Sequence, residues 1–139
     1  LIADGLQYLD QHQQQHHGHH HDVGLEALIA ETDGQVTQAS GADPTGLIGR
    51  QMSGPGAMLA FEMAGGFEAA EKVCGALRLI THAVSLGGID TLIEHPASLT
   101  HRVVTESAQP HEAVLRISAG LEDPVDLIAD LAQALDRVG

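Results

Sequence analysis

Basic and aromatic side chains are what this sequence has least of. Six Lys and Arg residues stand against nineteen Asp and Glu, for a formal net charge of −13. Nucleic acids and anionic membrane surfaces are bound through clustered cations, so a chain this acidic is built for neither. Tryptophan is absent, and Phe61, Phe67 and Tyr8 are the whole aromatic complement. A core must therefore be assembled from Leu, Ile, Val, Ala and Met, and 139 residues suffice for one. No apolar run approaches the roughly 20 residues of a membrane-spanning helix, and no basic-then-apolar secretion signal opens the sequence. The single cysteine, Cys74, excludes an intramolecular disulfide and fits a reducing compartment, hence a cytoplasmic location.

Lysine is the most restrictive shortage. Lys72 is the only one. Around it Phe67, Ala70, Cys74 and Leu77 recur at helical spacing and predict a buried stripe over 67–77. Lys72 falls off that stripe beside Glu68 and Glu71, the position of a solvated lysine with an acidic partner one turn back. Cys74 lies on the stripe, which predicts an inert core thiol rather than a reactive one.

Residues 1–24 read as a helix followed by a His- and Gln-rich tract. Ile2, Leu6 and Leu9 fall three or four apart, as on the apolar face of a helix. In the tract, His12/His16, His16/His20 and His17/His21 are i,i+4 pairs that would chelate Zn or Ni from one helix face. No cysteine or carboxylate closes a four-ligand set, so His16 and His20 are candidates for adventitious metal binding only. Residues 25–139 read as a single α/β unit. A short helix over 25–31 precedes a strand over 35–39, a loop over 40–46, and a buried strand over 57–63. A strand over 79–84 follows the stripe helix. The last helix is the best signalled: Asp123 is a natural N-cap, Pro124 suits the first helical position, and Asp126 complements the dipole. Its apolar face runs Leu127, Ile128, Leu131 and Leu135. Elements of this number and length predict a two-layer α/β sandwich with a mainly antiparallel sheet of about three or four strands and helices on one face.

Two stretches carry the chemistry. The apolar run before Val84 breaks at Ser85-Leu86-Gly87-Gly88, where adjacent glycines permit backbone angles closed to other residues. Arg116 sits inside the apolar run Val114-Leu115-Arg116-Ile117-Ser118. A guanidinium so placed needs an anion, since an unpaired buried charge is very costly. Its planar fork suits a carboxylate held by two parallel hydrogen bonds, and an internal salt bridge to one of the chain's own acids serves equally on residues alone. Ser85 reads as a site hydroxyl or as a turn former. His82, His95, His101 and His111 do not make a hydrolase with Ser85 or Ser98, because neither serine lies in a Gly-x-Ser-x-Gly elbow. Asp90 and Glu94 read as solvated turn and helix residues.

The stretches Ser85-Leu86-Gly87-Gly88, Leu92-Ile93-Glu94-His95-Pro96-Ala97-Ser98 and Thr100-His101, with Leu115-Arg116-Ile117-Ser118-Ala119-Gly120-Leu121-Glu122-Asp123, resemble the Cys/Met-metabolism family of pyridoxal-phosphate enzymes. That family includes methionine γ-lyase, cystathionine γ-synthase and γ-lyase, and the homoserine-ester sulfhydrylases. The likeness runs over about residues 50–135 and covers only the small C-terminal domain of such enzymes. It implies the same two-layer sandwich, with 1–24 as the linker helix and 25–139 as the substrate-carboxylate-binding domain. It further implies that Arg116 holds the substrate α-carboxylate, that Ser85 supports it, and that Val84 reads the distal group. An apolar residue at Val84 accepts a thioether methyl and penalises a buried ammonium. Pyridoxal 5′-phosphate would be bound by a large domain that carries the Schiff-base lysine, which is absent here, so the chain alone is expected to be inactive. The reaction implied is γ-elimination or γ-replacement on methionine, cystathionine or homoserine esters, in a homo-oligomer. A non-catalytic stand-alone domain with a metal-binding His tract is the alternative.

Overall fold

The computed structural model describes residues 36–40, 46–51, 56–99 and 111–138. The linker helix expected over 1–24, the histidine tract with His16 and His20, the helix expected over 25–31 and His101 lie outside the described residues. In chain order the elements are β1 (Val36–Ser40), β2 (Met58–Met63), α1 (Gly66–Ala76), β3 (Thr81–His82), β4 (Leu92–Glu94), α2 (Pro96–Leu99), β5 (Val114–Ser118) and α3 (Pro124–Leu135).

The strands form one five-stranded sheet in the order β1-β2-β5-β4-β3. The pairings β1–β2, β2–β5 and β5–β4 are antiparallel, while the edge pair β3–β4 is parallel. The α/β architecture matches the sequence-based expectation. The sheet gains an edge strand, and the crossover between β3 and β4 makes it mixed.

Alternation along the central strands sets the two faces. In β2, Leu59, Phe61 and Met63 are buried, and in β5 Leu115 and Ile117 are fully buried. These side chains join Ile93 of β4, Ala69, Ala70, Val73 and Cys74 of α1, and Leu127, Ile128, Leu131, Ala134 and Leu135 of α3 in one apolar core. Each fully buried Leu, Ile or Phe contributes about 1.5–3 kcal/mol. Helices α1 and α3 thus share one face of the sheet. Met58, Ala60 and Glu62 of β2, and Arg116 of β5, fall on the other face.

The stripe expected for α1 shifts by about a residue. Ala69 and Val73 are buried beside Ala70 and Cys74, whereas Phe67 and Leu77 at the ends are half-buried. At the start of α3 the Asp123 side chain accepts the Val125 amide at 2.9 Å, with Pro124 following it. The strand expected over 79–84 contracts to Thr81–His82. Its first half is diverted because the Asp130 carboxylate on α3 accepts the amides of Arg78 (2.9 and 3.1 Å), Leu79 (2.7 Å) and Ile80 (2.8 Å). Those donors are therefore unavailable to a ladder. The α3 residue Gln133 completes the clamp by donating to the Ala76 carbonyl at the end of α1, at 2.8 Å.

Candidate substrate-carboxylate site

The polar face of the sheet carries the corner. Because β5 alternates, burying Leu115 and Ile117 in the core turns Arg116 to the opposite side. Cross-strand register then fixes its neighbours: Ala60 on β2 and Glu94 on β4. Ala60 is short, so the guanidinium stem has room on that side. Glu94 is charged, and its Oε2 pairs with Arg116 Nη2.

Glu94 therefore departs from the solvated helix position expected of it. The helix begins only at Pro96, a residue suited to a first helical position, and residues 92–94 stay extended beside β5. Its side chain is 4% exposed, which a carboxylate tolerates when a cation faces it. The Arg116 side chain is 31% exposed.

Ser85 stands on the other side of the guanidinium. Arg116 Nη2 donates to the Ser85 carbonyl at 3.2 Å, so Ser85 is placed by its main chain while the residue itself is exposed. The turn is pinned to β5 again two residues later, where the Gly87 amide donates to Ser118 Oγ at 2.9 Å. Gly87 has φ +72°, a left-handed conformation that suits glycine. A close approach of two backbone segments lies instead at Gly120. A Cβ there would sit 2.3 Å from the Ile89 carbonyl oxygen and 2.6 Å from the Thr91 nitrogen. Val84, adjoining Ser85, is exposed, as are Leu86, Ile89 and Leu121.

Two residues that the sequence reading passed over hold this bend. Thr91 is fully buried; its amide donates to Glu122 Oε1 at 2.7 Å and its hydroxyl to Glu122 Oε2 at 2.6 Å. Thr91 Oγ1 in turn accepts the Gly120 amide at 2.8 Å. The segment after β5 is thereby locked to the end of the Ser85 turn. A threonine just before a short strand, and a glutamate one residue before a helix cap, gave no local signal of this pairing.

Arg116 Nε is buried and has no hydrogen-bond partner among the described residues. An unsatisfied buried donor costs about 1–3 kcal/mol. The guanidinium is thus held through Nη2, while Nε is shielded from solvent.

The histidines are placed separately. His82 is exposed on β3, and His111 pairs with Glu62 of β2. His95 is fully buried against Phe67, ring centroids 4.9 Å apart, with Nε2 hydrogen-bonded to the Glu112 carbonyl at 2.7 Å. Ser98 Oγ donates to the His95 carbonyl, not to an imidazole. Among the described residues, no group of three or more His, Cys, Asp or Glu side chains could hold a metal ion. No helix among them is long and apolar enough to cross a membrane.

The described residues thus form an α/β unit that carries an arginine and a glycine-containing turn on the sheet face opposite the helices, and comparison with known proteins gives its family. Residues 42–136 match the Cys/Met metabolism PLP-dependent enzyme family, and the chain belongs to that family. It is 59% identical over 96 residues to an L-methionine gamma-lyase of Brevibacterium aurantiacum, a match covering 69% of this chain and 24% of the relative. An L-methionine gamma-lyase of Pseudomonas putida is 47% identical over 93 residues, covering 64% of this chain and 23% of that protein. Among solved structures, MetB of Corynebacterium glutamicum superposes with TM-score 0.74 and 35% identity, over 86% of this chain and 33% of that one. Apo CalE6, a methionine gamma lyase from Micromonospora echinospora, gives TM-score 0.69 and 32% identity over 83% and 30% of the two chains. The chain spans about a quarter of the length of these curated relatives.

The family name implies pyridoxal phosphate, and the described residues do not form a site for it. Lys72, the only lysine, is exposed on α1. Helix α1 packs on the core face of the sheet, whereas Arg116 and Ser85 occupy the other. Lys72, the chain's only amine side chain, thus stands away from the Arg116 guanidinium.

Proposed function

We propose that this chain supplies the substrate-carboxylate corner of a pyridoxal-phosphate enzyme of sulfur amino-acid metabolism, one that works by γ-elimination or γ-replacement. The cofactor and its lysine belong to polypeptide outside these 139 residues. The observation that carries the reading is Arg116 itself, fixed at Nη2 by Glu94 and the Ser85 carbonyl and partly exposed. A carboxylate accepting from the exposed part of the guanidinium gains a charge-assisted bond, and the Ser85 turn borders its approach. Val84 offers an apolar surface where the distal group of the amino acid would lie, which favours a thioether over an ammonium. The relatives named as L-methionine gamma-lyases support that preference. Leu86, Ile89 and Leu121 are exposed around the corner, a surface that suits cover by a cofactor-bearing domain of the same assembly.

Titrating the chain with acetate while following the amide resonances of Ser85 and Gly87 tests the assignment. Saturable shifts are expected, with a Kd on the order of 10 mM for so small an anion, and Arg116→Ala removes them. Shifts that survive in Arg116→Ala, or none in the parent chain, reject it. Pyridoxal phosphate added to the chain should give no Lys72-dependent absorbance.

A further inference from the structure

The register that turns Arg116 to the open face also decides which charge meets it there. Glu94 is its direct partner across β4 and β5, buried where the arginine is partly exposed. Its Oε2 meets the Nη2 that also donates to the Ser85 carbonyl. Any anion arriving at the guanidinium therefore comes within several ångströms of a fixed negative charge already in place.

We infer that Glu94 is a specificity-determining residue of the corner: it orients the guanidinium and offsets its charge, so that anion affinity is lowered, and lowered more for a dianion than for a monoanionic carboxylate. The inference rests on the reading of Arg116 as a carboxylate clamp. A guanidinium without such a partner attracts carboxylate, sulfate and phosphate alike, and its long side chain is free to leave the bend. With Glu94 opposite, attraction and repulsion nearly cancel at a distance. What then distinguishes ligands is the short-range hydrogen bond made to the exposed part of the guanidinium and the fit beside Ser85. Repulsion from Glu94 scales with ligand charge, so its presence costs a dianion about twice what it costs a monoanion.

The test follows the Arg116 Nε–Hε resonance of the full 139-residue chain during separate acetate and sulfate titrations at constant ionic strength. Glu94→Gln keeps the shape and removes the charge. Acetate affinity is expected to rise about three- to tenfold in Glu94→Gln, within the range for one charge in a partly solvated site. The gain for sulfate is expected to be larger. Equal or weaker binding of both anions in Glu94→Gln, with Arg116-dependent binding intact in the parent, overturns the role of Glu94 and leaves the clamp standing. Absence of any Arg116-dependent shift in both proteins overturns the clamp and this inference together. Glu94→Met, of similar volume and uncharged, repeats the measurement where the amide variant does not fold. Failure of both variants to fold makes Glu94 an obligate structural residue and likewise overturns the inference.

Discussion

Ile80 donates its buried amide to Asp130 Oδ2 at 2.8 Å, across fifty residues of chain. The same carboxylate takes the amides of Arg78 and Leu79, so α3 dictates how the chain leaves α1 and enters β3. The Ser85 turn follows directly, and its position opposite Arg116 depends on that exit.

Replacing Asp130 with Asn turns one acceptor oxygen into a donor facing amide N–H groups. Hydrogen bonds to a charged acceptor are worth about 1.5–3 kcal/mol each. The expected loss is about 3 kcal/mol, or roughly 10 °C in Tm for a domain of this size. Thermal unfolding followed by far-UV circular dichroism measures it, and an unchanged Tm contradicts the clamp.

The locked segment after β5 makes a sharper prediction. Gly120→Ala drives a methyl to 2.3 Å from the Ile89 carbonyl oxygen, a contact that backbone movement alone relieves. Destabilisation of about 3 kcal/mol or more is expected. Gly75→Ala, where an added Cβ meets nothing within 4 Å, serves as the control and is expected to be neutral or stabilising.

Much of this architecture was legible locally. The cap formed by Asp123 and Pro124, the alternation of Leu115, Arg116 and Ile117, and the apolar run of β2 are each decided by neighbours within a few residues. The bend opposite Arg116 was legible as a bend. What escaped notice was held by long-range partners. Glu94 is buried because of a residue on another strand, and the 79–84 run is shortened because Asp130 captures its amides. Asp130 itself lies three residues after Leu127, on the apolar side of α3, and a carboxylate in that position was a signal of a buried acceptor.

Cys74 links core burial to pH. Desolvation, reinforced by nearby Glu71, pushes its thiol from 9.0 up to about 12. The folded state keeps the proton over a range where the unfolded chain gives it up. Its contribution is therefore complete below about pH 9 and declines as pH rises towards 12. Urea unfolding of the parent and of Cys74→Ala, compared at pH 7.5 and at pH 10 (roughly either side of the free-thiol pKa), measures it. The stability gap between the two proteins is expected to narrow at the higher pH. A gap that widens contradicts the burial argument.

Asp123→Ala tests the start of α3 alone. Loss of the 2.9 Å bond to the Val125 amide is expected to cost about 1 kcal/mol, with the Arg116 corner undisturbed. Amide exchange in the first turn of α3 should quicken while the resonances of Ser85 and Gly87 stay in place.

The most direct measurement compares L-methionine with L-methioninol, its alcohol counterpart, on the Arg116 Nε–Hε resonance. If a guanidinium on the open side of the sheet recognises an amino acid by its acid group, the amino acid shifts that signal saturably and the alcohol leaves it still. Equal responses to both compounds, or silence to both, contradict the account.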